Sequence, residues 1–377
     1  MKVVLAPDSF KESMTAAEAA AAMARGVQQV YPDAQCIAKP LADGGEGTLA
    51  VLAAALSADL ISVDTQDTLG RPVRAPLGLT RCGTAVIEAA TVIGLAQLPA
   101  SQRRIDIASS MGLAALIRAA LDAGATRIII GLGGTATCDG GAGLLAGLGA
   151  QLRDASGRSL PPNPVGLSGL AEVDLRGLDA RLSACQIVAA SDVTNPLLGA
   201  DGAATVFAPQ KGADAQQVRW LEAGLTRWAD ALAAAGAGDL RDRPGAGAAG
   251  GLGAALLALG AVLRSGGELI AEAIGLDAAI DGADLVLTGE GSLDAQTAAG
   301  KAPLGVLRVA AGRGVPVLAF GGRVRDRDRL DRLGFAEVIS LGDDSDAPPT
   351  AAELALGAQR LEHVVSMILA RRRDRAD

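Results

Sequence analysis

Short, uninterrupted aliphatic runs alternate along the chain with Gly/Asp/Ser/Thr-rich loops and Ala/Leu stretches of helical period. KVVLAP (2–7) leads into DSFKES and a helix expected from about Thr15 to Val30. That helix opens with Thr15-Ala-Ala-Glu18, a capping box in which each side chain satisfies a free backbone N–H. CIAKPLA (36–42) leads into DGGEGT, TRIIIGLGG (126–134) into TATCDGGAG, and CQIVAA (185–190) into SDVTNPLLG. DLVLTG (284–289) leads into EGSLDAQTAAGKAP, and VPVLAFGG (315–322) and EVISLG (337–342) close the series. Wholly apolar strands alternating with helices predict a parallel sheet covered on both faces.

Residues 59–90 break this rhythm. They read strand–turn–strand–turn–strand with no helix between, and LGRP and RCGT supply the turn signals. An antiparallel meander there marks a change of architecture. The expected fold is therefore α/β with two domains: a parallel-sheet domain from 1–60 plus 284–377, and an inserted mixed-sheet α/β domain over 61–283 that begins with the meander.

The chain has 377 residues, half of them apolar and a fifth charged, which is room for two ordinary domains with substantial cores. Aromatics make up 2 % and the net charge is −8. Nucleic-acid surfaces need basic charge and stacking faces, so nucleic acid is not an expected partner. Cysteines at 36, 82, 138 and 185 show no metal-type spacing and read as small buried hydrophobes in a reducing cytoplasm. MKVVLAP reaches Asp8 before a signal-peptide core could form. Gly245–Leu263 carries no charge, but its Gly/Ala-rich first half and Gly250-Gly251 predict a loop entering a buried helix, with no membrane partner.

In a parallel sheet all strands end at one edge, and ligands bind outside those carboxyl ends. The loops after residues 7, 42, 289 and 320 thus bring Asp8, Ser9, Lys11, Asp43, Glu46, Glu290, Ser292, Asp294 and Gly321 to one edge. Glycine N–H groups and helix N-termini suit phosphate, and carboxylates suit Mg²⁺. Against 29 arginines there are five lysines, and those at 11, 39, 211 and 301 lie in loop segments, where a compact ammonium on a flexible stem suits a moving phosphoryl group. For Lys39 and Lys211 a plain solvated charge is the competing reading. Gly300-Lys301 is not a P-loop, because Ala295 and Ala302 stand where that motif needs Gly and Ser/Thr. The one histidine, His363, lies in the last helical pattern and leaves acid–base work to carboxylate, lysine or water.

PDSFKESMTA (7–16), PLADGGEGT (40–48), GLGGTATCDGGAG (131–143), SDVTNPLLG (191–199), VFAPQKGA (206–213), GGLGAAL (250–256) and LTGEGSLDAQTAAGKAPLGV (287–306) together resemble the signature blocks of the type I glycerate kinases. The resemblance implies a flavodoxin-like domain and one resembling a restriction-endonuclease core. It also implies phosphorylation of D-glycerate by ATP with Mg²⁺, commonly at the 2-hydroxyl, in glyoxylate, glycolate or sugar-diacid breakdown. From their places just past the aliphatic strands 2–7 and 185–190, Lys11 and Asp192 are expected to be catalytic, Lys11 contacting a transferring phosphate or the glycerate carboxylate and Asp192 acting as general base or Mg²⁺-linked carboxylate. Asp8, Ser9, Gly44, Gly45, Gly133, Gly134, Thr135, Asn195, Ser292 and Lys301 are expected to bind substrate or phosphate, and Asp43, Glu290 and Asp294 to hold Mg²⁺. The competing reading of Asp192 is a cap on its own turn. Around IASSMGLAALI (107–117) the chain keeps Ser109, Ser110 and Gly112 but has Ala114 and Ala115 where the family pattern has Gly and Glu. The alternative function is a non-catalytic sensor of a small hydroxy acid or nucleotide.

Overall fold

The computed structural model describes residues 1–11, 13–294, 297, 302–342 and 350–375. Its strands are β1 (Lys2–Pro7), β2 (Gln35–Ala38), β3 (Asp59–Gln66), β4 (Pro72–Leu79), β5 (Thr84–Glu88), β6 (Arg127–Gly131), β7 (Gln151–Arg153), β8 (Glu172–Asp174), β9 (Gln186–Ala190), β10 (Val262–Arg264), β11 (Leu285–Leu293), β12 (Val317–Val324) and β13 (Glu337–Ser340). The chain forms two compact units, Met1–Asp43 with Gly267–Asp377, and Gly44–Gly266.

The first unit holds an all-parallel sheet in the order β13-β12-β11-β1-β2. Counted along this unit alone the order is 2-1-3-4-5, the doubly wound arrangement of flavodoxin-like folds. Helix Ala16–Val30 begins at the expected capping box: Glu18 N donates to Thr15 Oγ1 at 3.2 Å, and Thr15 N to Glu18 Oε2 at 2.8 Å. It buries Ala19, Met23 and Val27 in a core shared with Leu361, Val365 and Ile368 of helix Gly357–Arg373. His363 is exposed on that last helix.

Two strands run further than their aliphatic runs. Glu290 and Ser292, read from sequence as loop residues, are paired in β11 with Gly321 and Arg323 of β12. Glycine makes the extension possible. A Cβ on Gly289 would stand 2.3 Å from the Phe320 carbonyl oxygen, and one on Gly322 would stand 2.7 Å from that of Gly291.

The second unit carries a six-stranded sheet in the order β10-β9-β6-β5-β4-β3. The β3–β4–β5 part is the antiparallel meander, and β5, β6, β9 and β10 are parallel. Helix Thr48–Leu56 belongs here, with Leu49 against Gly78 of β4, so this unit begins at Gly44 where the sequence pattern suggested about 60. Gly250 and Gly251 have φ of 70° and 89° ahead of the buried turns Leu252–Leu256. A Cβ on Gly250 would lie 2.0 Å from the Thr137 carbonyl oxygen. Among the described residues no helix is long and apolar enough to cross a membrane. All four cysteines are free thiols, but only Cys138 is buried. Cys36 and Cys185 are half-buried and Cys82 is exposed, because Cys82 falls in the β4–β5 turn.

Helix Ala16–Val30 meets helix Gly357–Arg373 at Gly26, where an added Cβ would stand 2.6 Å from the Glu362 carbonyl oxygen and 2.8 Å from Val365 Cβ. Alanine would gain about 1 kcal/mol in helix propensity. Pushing two packed helices apart costs about 1–3 kcal/mol. Gly26→Ala is therefore expected to lower the urea midpoint, and an unchanged or raised midpoint would show that the contact yields easily.

Candidate active site

In a doubly wound sheet the ligand crevice opens where the strand order reverses, here between β1 and β11. The register pairs Pro7 with Gly289, and Asp8 N donates to the Gly289 carbonyl at 2.8 Å. The chain after β1 passes directly over β11, since a Cβ on Gly291 would lie 3.2 Å from the Lys11 backbone nitrogen. Asp8, only 8 % exposed, receives Ser9 N at 2.6 Å. Its carboxyl is raised to about 7, chiefly by burial and then by the negative charge of Asp43. Glu290 adds to the rise, while the Ser9 N–H and Lys11 oppose it. Glu290 is buried and receives Thr297 Oγ1 at 2.6 Å, and Asp294 receives Ser292 Oγ at 3.3 Å. Lys11 is exposed and Ser9 partly so. Lys301 lies outside the described residues. Lys39 donates to the carbonyl of Ile274, the residue after helix Gly266–Ala273, so it holds a helix end instead of lying free in solvent.

Among the described residues no group of three or more His, Cys, Asp or Glu side chains forms a protein-only metal cage. Mg²⁺ does not require one, because it is usually held by one or two carboxylates plus water and substrate phosphates. Asp8, with Asp43 and Glu290 close enough to raise its pKa, supplies oxygen donors of the kind a hard cation takes.

In the second unit the loop after β6 packs on the loop that opens the unit. Gly133 N donates to the Gly44 carbonyl at 3.0 Å, and a Cβ on Gly133 would stand 2.4 Å from Gly45 Cα. Gly44, at φ 91°, would bring a Cβ within 2.7 Å of the Ala190 carbonyl oxygen. Backbone crowding therefore accounts for glycine at these positions without a ligand. Thr135 is buried on the same loop.

Two buried carboxylates had no distinguishing signal in the sequence. Asp139 receives Ser110 N at 2.7 Å, Ser110 Oγ at 2.8 Å, and Gly141 N and Gly143 N at 3.1 Å each. Glu88 receives Gly47 N at 3.1 Å and Leu49 N at 3.0 Å, and so caps helix Thr48–Leu56. Burial raises the pKa of both, against those hydrogen bonds.

Lys211 is not a solvated charge. It is 3 % exposed, and its Nζ donates to the Thr137 carbonyl at 2.7 Å and to Thr135 Oγ1 at 3.4 Å. Asp192 is exposed and receives Ser265 Oγ at 2.6 Å. In the same turn Ser191 Oγ receives Val193 N at 3.2 Å. Asn195 Nδ2 donates to the Asp201 carbonyl at 2.8 Å.

Two pH dependences follow. Asp8 titrates near 7 in the fold against an ordinary value of 3.8, so the folded chain holds the extra proton between those values. The stability carried by neutral Asp8 is present below 3.8 and lost as pH rises through 7. In chelator-treated buffer, Asp8→Asn should match wild type in thermal stability near pH 4 and exceed it at pH 8. A gap that ignores pH would refute this. Lys211 behaves oppositely, because burial lowers its ammonium to about 8 from 10.5. Here the unfolded chain holds the extra proton, so stability should rise between pH 8 and 10.5. Urea titrations should show that rise in wild type and a shallower one in Lys211→Met.

The profile of the Glycerate kinase family matches residues 3–372. Glycerate kinase of Bacillus subtilis is 45 % identical over 344 residues, covering 90 % of each chain. Glycerate 2-kinase of Escherichia coli is 45 % identical over 328 residues, covering 86 % of each. A crystal structure assigned as glycerate kinase 2 from Salmonella typhimurium LT2 superposes with a TM-score of 0.85 at 42 % identity, over 99 % of this chain and 98 % of that one. Whole-length similarity of this degree makes the chain a phosphotransferase belonging to the glycerate kinase family.

Proposed function

We propose that the chain transfers the γ-phosphate of ATP to the 2-hydroxyl of D-glycerate with Mg²⁺, forming 2-phosphoglycerate in the cytoplasm during glyoxylate, glycolate or sugar-diacid breakdown. The observation that carries the choice of hydroxyl is the near-full-length similarity to the E. coli protein named glycerate 2-kinase. Mg²⁺ would neutralise charge on the phosphate oxygens, with Asp43, Glu290 and Asp294 as its holders at the β1/β11 edge. Lys11 contacts the transferring phosphate or the glycerate carboxylate. Ser9, Ser292 and Lys301 donate to phosphate oxygens, as do the backbone N–H groups of Gly44, Gly45 and Gly134, while Gly133, whose N–H goes to the Gly44 carbonyl, lets the two loops pack closely beside them. Thr135 and Asn195 orient the acid. Asp192, held by Ser265 Oγ, accepts the proton that leaves the attacking hydroxyl. Transfer then needs alignment and charge neutralisation, with no covalent enzyme intermediate.

Replacing Lys11 by Met should cost about 100-fold or more in kcat/KM, roughly 3 kcal/mol of transition-state stabilisation. Near-normal activity would remove it from the site. Asp192→Asn keeps the shape of the side chain and removes its charge, and losing a general base typically costs about 10²–10⁴-fold in rate. A well-folded Asp192→Asn enzyme within about threefold of wild type would exclude the base role. Carbon-13 NMR of the product decides the position, since phosphorus coupling at C2 is expected and coupling at C3 would overturn the assignment.

A further inference from the structure

Glu88 ends β5, and the register Glu88↔Gly131↔Ala190 sets it level with the carboxyl ends of β6 and β9. From that edge the loop 131–143 and the Asp192 turn leave the sheet, and ligands bind outside such ends. Alternation along the strand turns Ile87 into the core it shares with Leu113 and Ile117, and Glu88 to the opposite face, at the first turn of helix Thr48–Leu56. Its two oxygens are not equivalent. Oε2 receives Gly47 N at 3.1 Å and Leu49 N at 3.0 Å. Oε1 has no hydrogen-bond partner among the described residues. The unpartnered side-chain atoms that are sealed from solvent are Thr48 Oγ1, Thr68 Oγ1, Arg127 Nε, Thr137 Oγ1 and Glu222 Oε2. Oε1 is not one of them, so it shares in the 7 % of Glu88 that stays accessible.

A carboxylate held in this way is a fixed acceptor. Two backbone N–H groups at a helix N-terminus keep Oε2 in place and favour the charged form, and nine-tenths of the side chain cannot swing away. Glu46 lies close enough for its charge to act on Glu88, and a Cβ on Gly134 would stand 3.5 Å from Glu46 Oε1. Glu88 therefore faces the rim on which the glycine-rich loop sits. At Oε1 a phosphate or carboxylate oxygen would meet a like charge, so the group that fits there is a hydrogen donor without negative charge. A dihydroxy acid supplies one, because it keeps one hydroxyl when the other is phosphorylated.

We propose that Glu88 determines specificity for glycerate by receiving, at Oε1, the 3-hydroxyl that remains when the 2-hydroxyl is phosphorylated; the choice of hydroxyl rests on the reading given above. A site that receives a hydroxyl rejects the analogue lacking it, since the acceptor is then left unpaired in a closed site. D-Lactate is that analogue, differing from D-glycerate only in the missing 3-hydroxyl.

Glu88→Gln separates this role from the helix cap. The amide oxygen can take both N–H groups, and the NH2 then stands where Oε1 was, a donor in place of an acceptor. Steady-state kinetics with D-glycerate, and with D-lactate as competitor, are the test. In wild type the inhibition constant of D-lactate should exceed the glycerate KM by about tenfold or more. In Glu88→Gln the glycerate KM should rise by about tenfold or more, the worth of a hydrogen bond to a charged group. The lactate constant, the KM for ATP and the thermal midpoint should stay near wild type. Glu88→Ala loses the cap as well and should also lower the midpoint. An unchanged glycerate KM in folded Glu88→Gln overturns the proposal. So does a raised Mg²⁺ requirement in place of a raised glycerate KM, which would give Oε1 to the metal. Should the variant not fold, wild type still decides, because D-lactate bound as tightly as glycerate overturns the proposal. Phosphorus coupling at C3 of the product would sink the 2-hydroxyl reading and, with it, the 3-hydroxyl as the partner of Glu88. Coupling at C2 with an unaffected Glu88→Gln sinks the Glu88 assignment alone.

Discussion

The parallel pairing of β1 with β11 is the contact on which the first unit rests. It joins residues 282 positions apart, from Val3↔Leu285 to Pro7↔Gly289, with Val3, Leu5, Leu285 and Leu287 buried around it. Closing so long a loop costs less than its length suggests, since each doubling adds only about 0.6 kcal/mol. Without this pair the two chain ends would share no sheet, and the strand order would have no point of reversal. It also sets the chemistry, because the same register brings Asp8 beside Glu290 in a buried position. Burial and like charge there hold a carboxyl near neutrality, which local sequence alone could not do.

In the second unit a comparable organising role falls to Asp139. Its carboxylate gathers donors from the start of helix Gly112–Asp122 and from the loop entering helix Ala142–Gly147. A buried charge is tolerable only when hydrogen-bonded in this way. This gives the Ser109-Ser110-Met111-Gly112 segment a structural reason for its residues. Ser110 serves Asp139, and a Cβ on Gly112 would lie 2.0 Å from the Gln66 carbonyl oxygen. The departure at Ala114 fits the same packing, since a Cβ on Gly147 would approach Ala114 Cβ to 2.5 Å. Nothing in the structure explains Ala115.

The strands, the capping box at Thr15 and the meander of β3–β5 were legible because each depends on neighbours a few residues away. Apolar runs, a hydroxyl three residues before a glutamate, and Gly-Arg-Pro between extended segments act locally. The convergence of Asp8, Lys11, Asp43 and Glu290 on one edge was also legible, since parallel strands all end on the same side.

The sequence by itself thus determined the α/β class, the order of elements and the family, all of which are carried by local pattern and motif order. Tertiary structure alone decided the rest. Two strands outrun their aliphatic runs because Gly289 and Gly322 admit close backbone contact across the sheet. Lys211 became a buried ammonium over the glycine loop, and Asp139 and Glu88 became satisfied internal acceptors. Solvation and field at a side chain are set by groups distant in sequence, so a residue's type and its neighbours do not reveal whether it will be charged, buried or partnered.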